Sequence, residues 1–284
     1  MPQTPLAILA GKGRLPEMLA ATAVQAGRKV VVVCFNGFRP DWITNEQLIE
    51  ARFEKPGTMF KAIKAAGCRD VVFAGYIIRP RINPLKFDLK MISVAAKLLP
   101  KLKSGDTATL DAIRSIFEAE GLQILGAHEI LKDLLAVGGT LTKAAPSADD
   151  FTDMKRAYAI VTQVGIADVG QGAVVAQGLC LGVESIQGTD AMLNFVATTS
   201  ADYRPDENAG QGVLLKAPKQ GQDWRIDLPA IGPDTVENAA KAGLSGIAVQ
   251  AQGVLVLGLE DTVATADRLG LFIHGFDPKD IADG

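Results

Sequence analysis

Two stretches near the amino terminus are apolar at every position, Leu6–Ala10 and Val30–Phe35. Unbroken runs of this length mark strands buried on both faces, the setting a parallel sheet provides. Between them residues 17–25 carry a helical pattern, with Leu19 and Ala23 one turn apart and Gly27 as a stop. Strand, helix and strand in this order predict a βαβ unit with a right-handed crossover. The alternation continues with a helix near 58–66, a strand at 70–74, a long helix over 85–99, a helix over 107–119 and a strand at 122–125. The expected fold class is α/β, beginning with a Rossmann-like parallel-sheet domain over residues 1–136.

The pattern breaks at 137–149, where glycines, a proline and small polar residues predict a linker. Ser147 or Asp149 is placed to cap the helix that follows. Residues 150–284 then read as an α+β domain with mostly antiparallel strands. AVVAQGLCLGVE (173–184) predicts a hairpin turning at Gln177-Gly178, and IAVQAQGVLVLGLE (247–260) predicts a second turning near Gln252-Gly253. A third strand is expected at 212–216, with helices over 233–242 and 260–269.

Composition narrows the class. The 284 residues are 48% hydrophobic and 21% charged, which is globular. The net charge of −3 provides no general grip on nucleic acid, and no nucleic-acid partner is expected. Three widely spaced cysteines, Cys34, Cys68 and Cys180, read as reduced thiols of a cytoplasmic protein. No apolar run approaches the roughly 18 residues of a membrane span, although peripheral contact needs none.

Several chemistries lack their residues. The two histidines, His128 and His274, carry no metal-binding spacing, and no GxSxG or Walker A motif exists. The turn GKGRLP (11–16) presents backbone N–H groups at a helix start, with Lys12 and Arg14 beside them, and suits an anion. As a dinucleotide fingerprint it is incomplete, because Pro16 replaces the third glycine and no acid ends the second strand. Arg79 and Arg81, in the loop after the 70–74 strand, either hold phosphate or face solvent. DWRID (223–227), read as extended, places Asp223, Arg225 and Asp227 on one face and turns Trp224, Ile226 and Leu228 to the core. Such a trio either binds a hard cation with a phosphate or is a salt-bridged strand end. Asp168, Glu184 and Asp190 also stand at element ends. Gln171 either orients a substrate group or satisfies a turn, and Lys216 either meets phosphate or reaches solvent. What survives exclusion is carboxylate chemistry with Mg²⁺ or Mn²⁺ on a phosphate ester or anhydride. An NAD-dependent nucleotide-sugar oxidoreductase and a non-catalytic lipid or nucleotide binder are the alternatives.

AGKGRLP (10–16), GYIIRP (75–80), DVGQG (168–172), ESIQGTDAML (184–193) and KAPKQGQDWRIDLPAIG (216–232) occur in order. Together they resemble the LpxI family of UDP-2,3-diacylglucosamine pyrophosphatases of lipid A biosynthesis. The resemblance implies hydrolysis of UDP-2,3-diacylglucosamine to 2,3-diacylglucosamine 1-phosphate (lipid X) and UMP, with water attacking the β-phosphorus and a divalent cation, Mg²⁺ or Mn²⁺, assisting. It implies a homodimer, cytoplasmic and in peripheral contact with the inner membrane. It places the central aspartate on Asp227, the glycine-rich turn on Gly11 and Gly13, the second loop on Gly75 and Arg79, and the GTD motif on Thr189 and Asp190. Joined to the residue readings above, this makes Asp227, Arg225 and Asp223 the expected catalytic residues, and Gly11, Lys12, Gly13, Gly75, Arg79, Gln171, Thr189 and Lys216 the expected substrate contacts. Asp227, Asp223 and Asp190 are the expected metal ligands.

Overall fold

The computed structural model describes residues 4–35, 38–43, 47–77, 82–103, 105–204, 206 and 210–282. The chain divides into two compact units. The first comprises residues 1–132 together with 223–227, and the second comprises 133–222 and 228–284.

The first unit runs β1 (Leu6–Ala10), α1 (Leu15–Gln25), β2 (Val30–Phe35), β3 (Gln47–Ala51), α2 (Pro56–Ala65), β4 (Asp70–Ala74), α3 (Leu89–Leu98), α4 (Asp106–Ala119), β5 (Gln123–Leu125) and α5 (Ala127–Ile130). Its five strands are ordered β3-β2-β1-β4-β5, all parallel, as the apolar runs predict. All five residues of β1 are buried. One face of the sheet is covered by Phe60 and Ile63 of α2, Val94 of α3 and Phe117 of α4, and Ile226 packs against the same cluster. Asp88 starts α3, accepting from Met91 N at 2.7 Å, and its second oxygen accepts from Gly57 N of α2 at 2.9 Å.

Strand order reverses between β1 and β4, and ligands of open α/β sheets gather beyond the carboxyl ends of strands at such a point. There the two loops are stitched together. Gly11 N donates to Ala74 O at 2.7 Å, Lys12 N to Tyr76 O at 2.9 Å and Tyr76 N to Lys12 O at 3.1 Å. The stitch requires glycine. A Cβ on Gly11 would stand 2.6 Å from Tyr76 O, and one on Gly75, whose φ is +78°, would stand 2.3 Å from Lys12 O.

The second unit holds β6 (Gly139–Thr140), α6 (Ala148–Ile166), β7 (Gly172–Ala176), β8 (Leu179–Val183), α7 (Thr189–Thr199), β9 (Val213–Lys216), β10 (Ala230–Ile231), α8 (Pro233–Lys241), β11 (Gly246–Gln250), β12 (Leu255–Val256), α9 (Leu259–Leu269), β13 (Phe272–Phe276) and α10 (Pro278–Ala282). Six strands form a mixed sheet ordered β6-β13-β11-β9-β7-β8. Three pairings are antiparallel, and the two around β11 are parallel. Met154 and Val161 of α6 pack on one face with Phe272 and Ile281, while α7, α8 and α9 cover the other through Leu193, Val236 and Ala266. Ser147 caps α6 reciprocally, its N–H donating to Asp150 Oδ2 at 2.8 Å and its hydroxyl accepting from Asp150 N at 3.2 Å.

Three expectations are corrected. The 173–184 hairpin forms, but that of 247–260 does not: β12 leaves the sheet and pairs in parallel with β10. Both flanks of β11 are occupied, by β9 and β13, so no edge remains for a returning strand. The turn's donors also go elsewhere, Ala251 N to Phe276 O and Gln252 N to Ala136 O. The 137–149 segment, expected as a linker, provides β6, which pairs with β13. The close approach relies on Gly275, where a Cβ would lie 1.8 Å from Val137 O. Finally, 223–227 is a turn and not a strand.

Candidate active site

Asp223 organises its turn twice. Its carbonyl accepts from Ile226 N at 3.0 Å and Asp227 N at 3.2 Å, which coils residues 223–227 instead of extending them. Its carboxylate accepts from Arg225 N at 3.0 Å, Arg225 Nε at 3.0 Å and Arg225 Nη2 at 2.6 Å. The period-two expectation therefore fails for the side chains. Ile226 reaches the core of the first unit, but Trp224 remains 39% exposed.

The turn is seated on α4. Arg114 Nε stands 3.2 Å from Asp223 Oδ2, and Arg225 Nη1 stands 3.5 Å from Glu118 Oε1. Glu118 in turn holds Arg114, one turn back on the helix, at 2.9 Å. Acids and guanidiniums thus alternate around one small network. The fork from Arg225 holds the Asp223 carboxyl below the usual carboxylate range, with Arg114 adding to the effect. Reciprocally, the Asp223 fork keeps the Arg225 guanidinium more firmly protonated than usual. Arg114 and Glu118 were not singled out in the sequence, where they are ordinary helix charges at i and i+4.

Also in the first unit, the stitched loops gather Gly11, Lys12, Gly13 and Gly75 at the sheet's switch point. Gly13 adopts φ +100° in open space just before α1, and Lys12 is exposed beside it. Backbone donors at a helix start, next to a lysine, form an anion-binding geometry. Arg79 and Arg81 lie outside the described residues.

The second unit assembles a separate, buried polar cluster. Lys216 ends β9 opposite Gly172 of β7, and both it and Glu184 are buried. The Lys216 ammonium donates to Thr189 Oγ1 at 2.6 Å and Ala230 O at 3.3 Å, and lies 3.6 Å from Glu184 Oε1. Thr189 Oγ1 donates to Glu184 Oε1 at 2.8 Å. Glu184 Oε2 and Gln171 Oε1 are buried acceptors that receive no hydrogen bond among the described residues. Gly172 makes room for the former, since a Cβ there would lie 2.6 Å from Glu184 Oε2. The cluster joins two residues expected at the site, Thr189 and Lys216, to Glu184, visible beforehand only as an acid ending a strand. Asp190, beside Thr189, accepts instead from Asn238 Nδ2 at 3.0 Å.

The expected metal trio is not gathered within a unit, since Asp223 and Asp227 belong to the first and Asp190 to the second. Among the described residues no group of three or more His, Cys, Asp or Glu side chains is poised to hold a metal ion. The Asp223 carboxylate is engaged by two guanidiniums. In this arrangement it presents itself as their anchor rather than as a ligand.

Comparison with known proteins places this geometry. Residues 5–134 match the family model of the LpxI N-terminal domain, and residues 137–274 match that of the LpxI C-terminal domain. The chain is similar to the UDP-2,3-diacylglucosamine pyrophosphatase LpxI of Caulobacter vibrioides, 39% identical over 275 residues, covering 97% of this chain and 98% of the relative. Among solved structures, the WbmG enzyme of Bordetella bronchiseptica in complex with NAD and UDP aligns over 97% of this chain and all of its own at 12% identity, with a TM-score of 0.30. A GalE-like L-threonine dehydrogenase from Cupriavidus necator aligns at 11% identity over 98% and 97% of the two chains, with a TM-score of 0.29. With both domain models matched in order and a relative of this identity over nearly its whole length, the chain belongs to the LpxI family.

Proposed function

We propose that this chain hydrolyses the pyrophosphate of UDP-2,3-diacylglucosamine to lipid X and UMP, water attacking the β-phosphorus. One observation carries the reading: the relationship to a pyrophosphatase of that name extends over 97% of this chain. Residue roles follow from the geometry. The N–H groups of Gly11 and Lys12 hold the loop stitch, so phosphoryl oxygens are received at Gly13 and the α1 start, with the Lys12 ammonium beside them. Arg225, pre-oriented by Asp223, offers its guanidinium to developing phosphoryl charge. Asp227 orients the attacking water and accepts its proton. In the second unit, Gln171 Oε1 and Glu184 Oε2 accept from substrate O–H or N–H groups, since these buried acceptors otherwise go unmatched.

A divalent cation, Mg²⁺ or Mn²⁺, would neutralise phosphoryl charge when bound. Its requirement is tested by chelation, with activity expected to disappear and to return on adding the metal. The same reading includes a homodimer, checked by sedimentation velocity, and peripheral membrane contact. The decisive assay supplies the substrate in H₂¹⁸O and weighs both products. Label in lipid X supports attack at the β-phosphorus, label in UMP places attack at the α-phosphorus, and no turnover refutes the reading.

A further inference from the structure

Helix α3 is apolar on two faces, and only one of them is covered. At about 100° per residue, Met91, Val94 and Ala95 point together and are buried in the first unit. The opposite face carries Leu89, 89% exposed, and Ile92, 60% exposed. It is extended by Leu85 just before the helix, 95% exposed, and by Leu99 just after it, 58% exposed. A second apolar strip on a helix already packed through its first calls for a partner, and Leu89 and Ile92, with the exposed Leu85 and Leu99 flanking the helix in sequence, are of the kind that marks a contact surface.

Charge identifies the contact. Residues 82–103 contain five lysines and a single acid, Asp88, within a chain whose net charge is −3. The Asp88 carboxylate is occupied by the N–H groups of Met91 and Gly57. Lys90 pairs with Glu120, while Lys86, Lys97 and Lys101 rim the strip and are exposed. Pressing two such faces together would set lysines against lysines. A layer of anionic headgroups over acyl chains meets both properties at once, taking the lysines at phosphate level and the leucines below it.

We propose that the outward face of residues 85–99 lies on an anionic phospholipid bilayer. This deepens the functional reading, because the substrate proposed above carries two acyl chains and resides where this face would sit. It is tested without substrate. Full-length protein is sedimented with vesicles of phosphatidylglycerol and phosphatidylethanolamine, or of phosphatidylcholine alone. The protein is expected to pellet with the anionic vesicles only, and to be released by about 0.5 M salt. The doubly substituted L89E/I92E protein is expected to bind about tenfold more weakly, while F195E, altering an exposed phenylalanine of the second unit, binds normally. Equal binding to phosphatidylcholine, or undiminished binding by L89E/I92E, overturns the proposal. So does conversion of a dimer to a monomer by L89E/I92E, which makes a second copy the occupant. Hydrolysis of detergent-dispersed substrate by L89E/I92E is expected within about twofold of the unaltered protein, as for surface substitutions. Loss of hydrolysis by every form, with vesicle binding intact, would refute the pyrophosphatase reading and leave the surface standing.

Discussion

The guanidinium of Arg225 is held by the carboxylate of Asp223 through two parallel contacts, Nε at 3.0 Å and Nη2 at 2.6 Å. Replacing the planar fork by an ammonium removes one contact and frees the orientation. Arg225→Lys is expected to lower kcat by about tenfold or more while shifting the melting temperature little, because such solvated pairs contribute about 1 kcal/mol or less. The check is a comparison of kcat with thermal denaturation. A large loss of stability with unchanged kcat would make the fork structural.

Asp227→Ala isolates the chemistry from the scaffold. If Asp227 accepts the proton of the attacking water, its removal is expected to reduce turnover on the order of 100-fold or more. Asp223→Asn is expected to act differently, weakening Arg225 without removing the acceptor. Because Asp223 titrates below its ordinary range in the folded protein, its stabilising contribution is complete above the unfolded value of about 3.9. That contribution is lost as pH falls through the lower folded value. Asp223→Asn is therefore expected to flatten the most acidic limb of an acid-unfolding curve and nothing above it.

The loop stitch makes a prediction of opposite character. Gly75→Ala combines a positive φ with a backbone collision and is expected to cost about 2 kcal/mol or more. Gly13→Ala has the positive φ but open surroundings, and about 1 kcal/mol is expected. Urea midpoints for the two proteins test the ordering.

In the buried cluster, Lys216→Met strands the Glu184 carboxylate, and Glu184→Gln leaves the ammonium without its counter-charge. Breaking a buried pair from one side costs about 3–5 kcal/mol, whereas removing both charges is far milder. The double substitution is expected to recover much of the stability lost by Lys216→Met alone, in a double-mutant cycle by denaturant unfolding.

His274 sets a pH dependence of the second unit. Burial lowers its pKa below the ordinary value of 6.5, and Thr140 Oγ1 lies 3.0 Å from its Nδ1. The folded state therefore prefers the neutral ring. Stability is full above about pH 6.5 and declines as pH falls toward the depressed folded value. His274→Gln is expected to remove that part of the slope below about pH 6.5.

How far the sequence spoke depended on whether the deciding partner was local. Four of the five strands of the first sheet were legible because their runs are largely apolar and alternate with helices; β3, with Gln47 and Glu50 exposed, carries no such run and was not anticipated. The two Ala-Gln-Gly turns were not distinguishable. Both place glutamine at positive φ, Gln177 at +51° and Gln252 at +58°. At Gln177 and Gly178 the N–H groups are received by Asp153, and β8 finds a free edge. At Gln252 both edges of β11 are already taken, which is a property of the whole sheet. The same holds at the site. DWRID announced its chemistry by residue type, but its coiling is set by the Asp223 carbonyl and its seating by charges on α4 more than a hundred positions earlier.

That seating constrains biosynthesis. Residues 223–227 complete the amino-terminal lobe, while the chain on either side of them belongs to the other lobe. No single cut yields two whole folding units. A fragment ending at Lys132 lacks Ile226 against its core and Asp223 beside Arg114. On the ribosome, the lobe translated first must wait for nearly a hundred further residues before its last piece arrives.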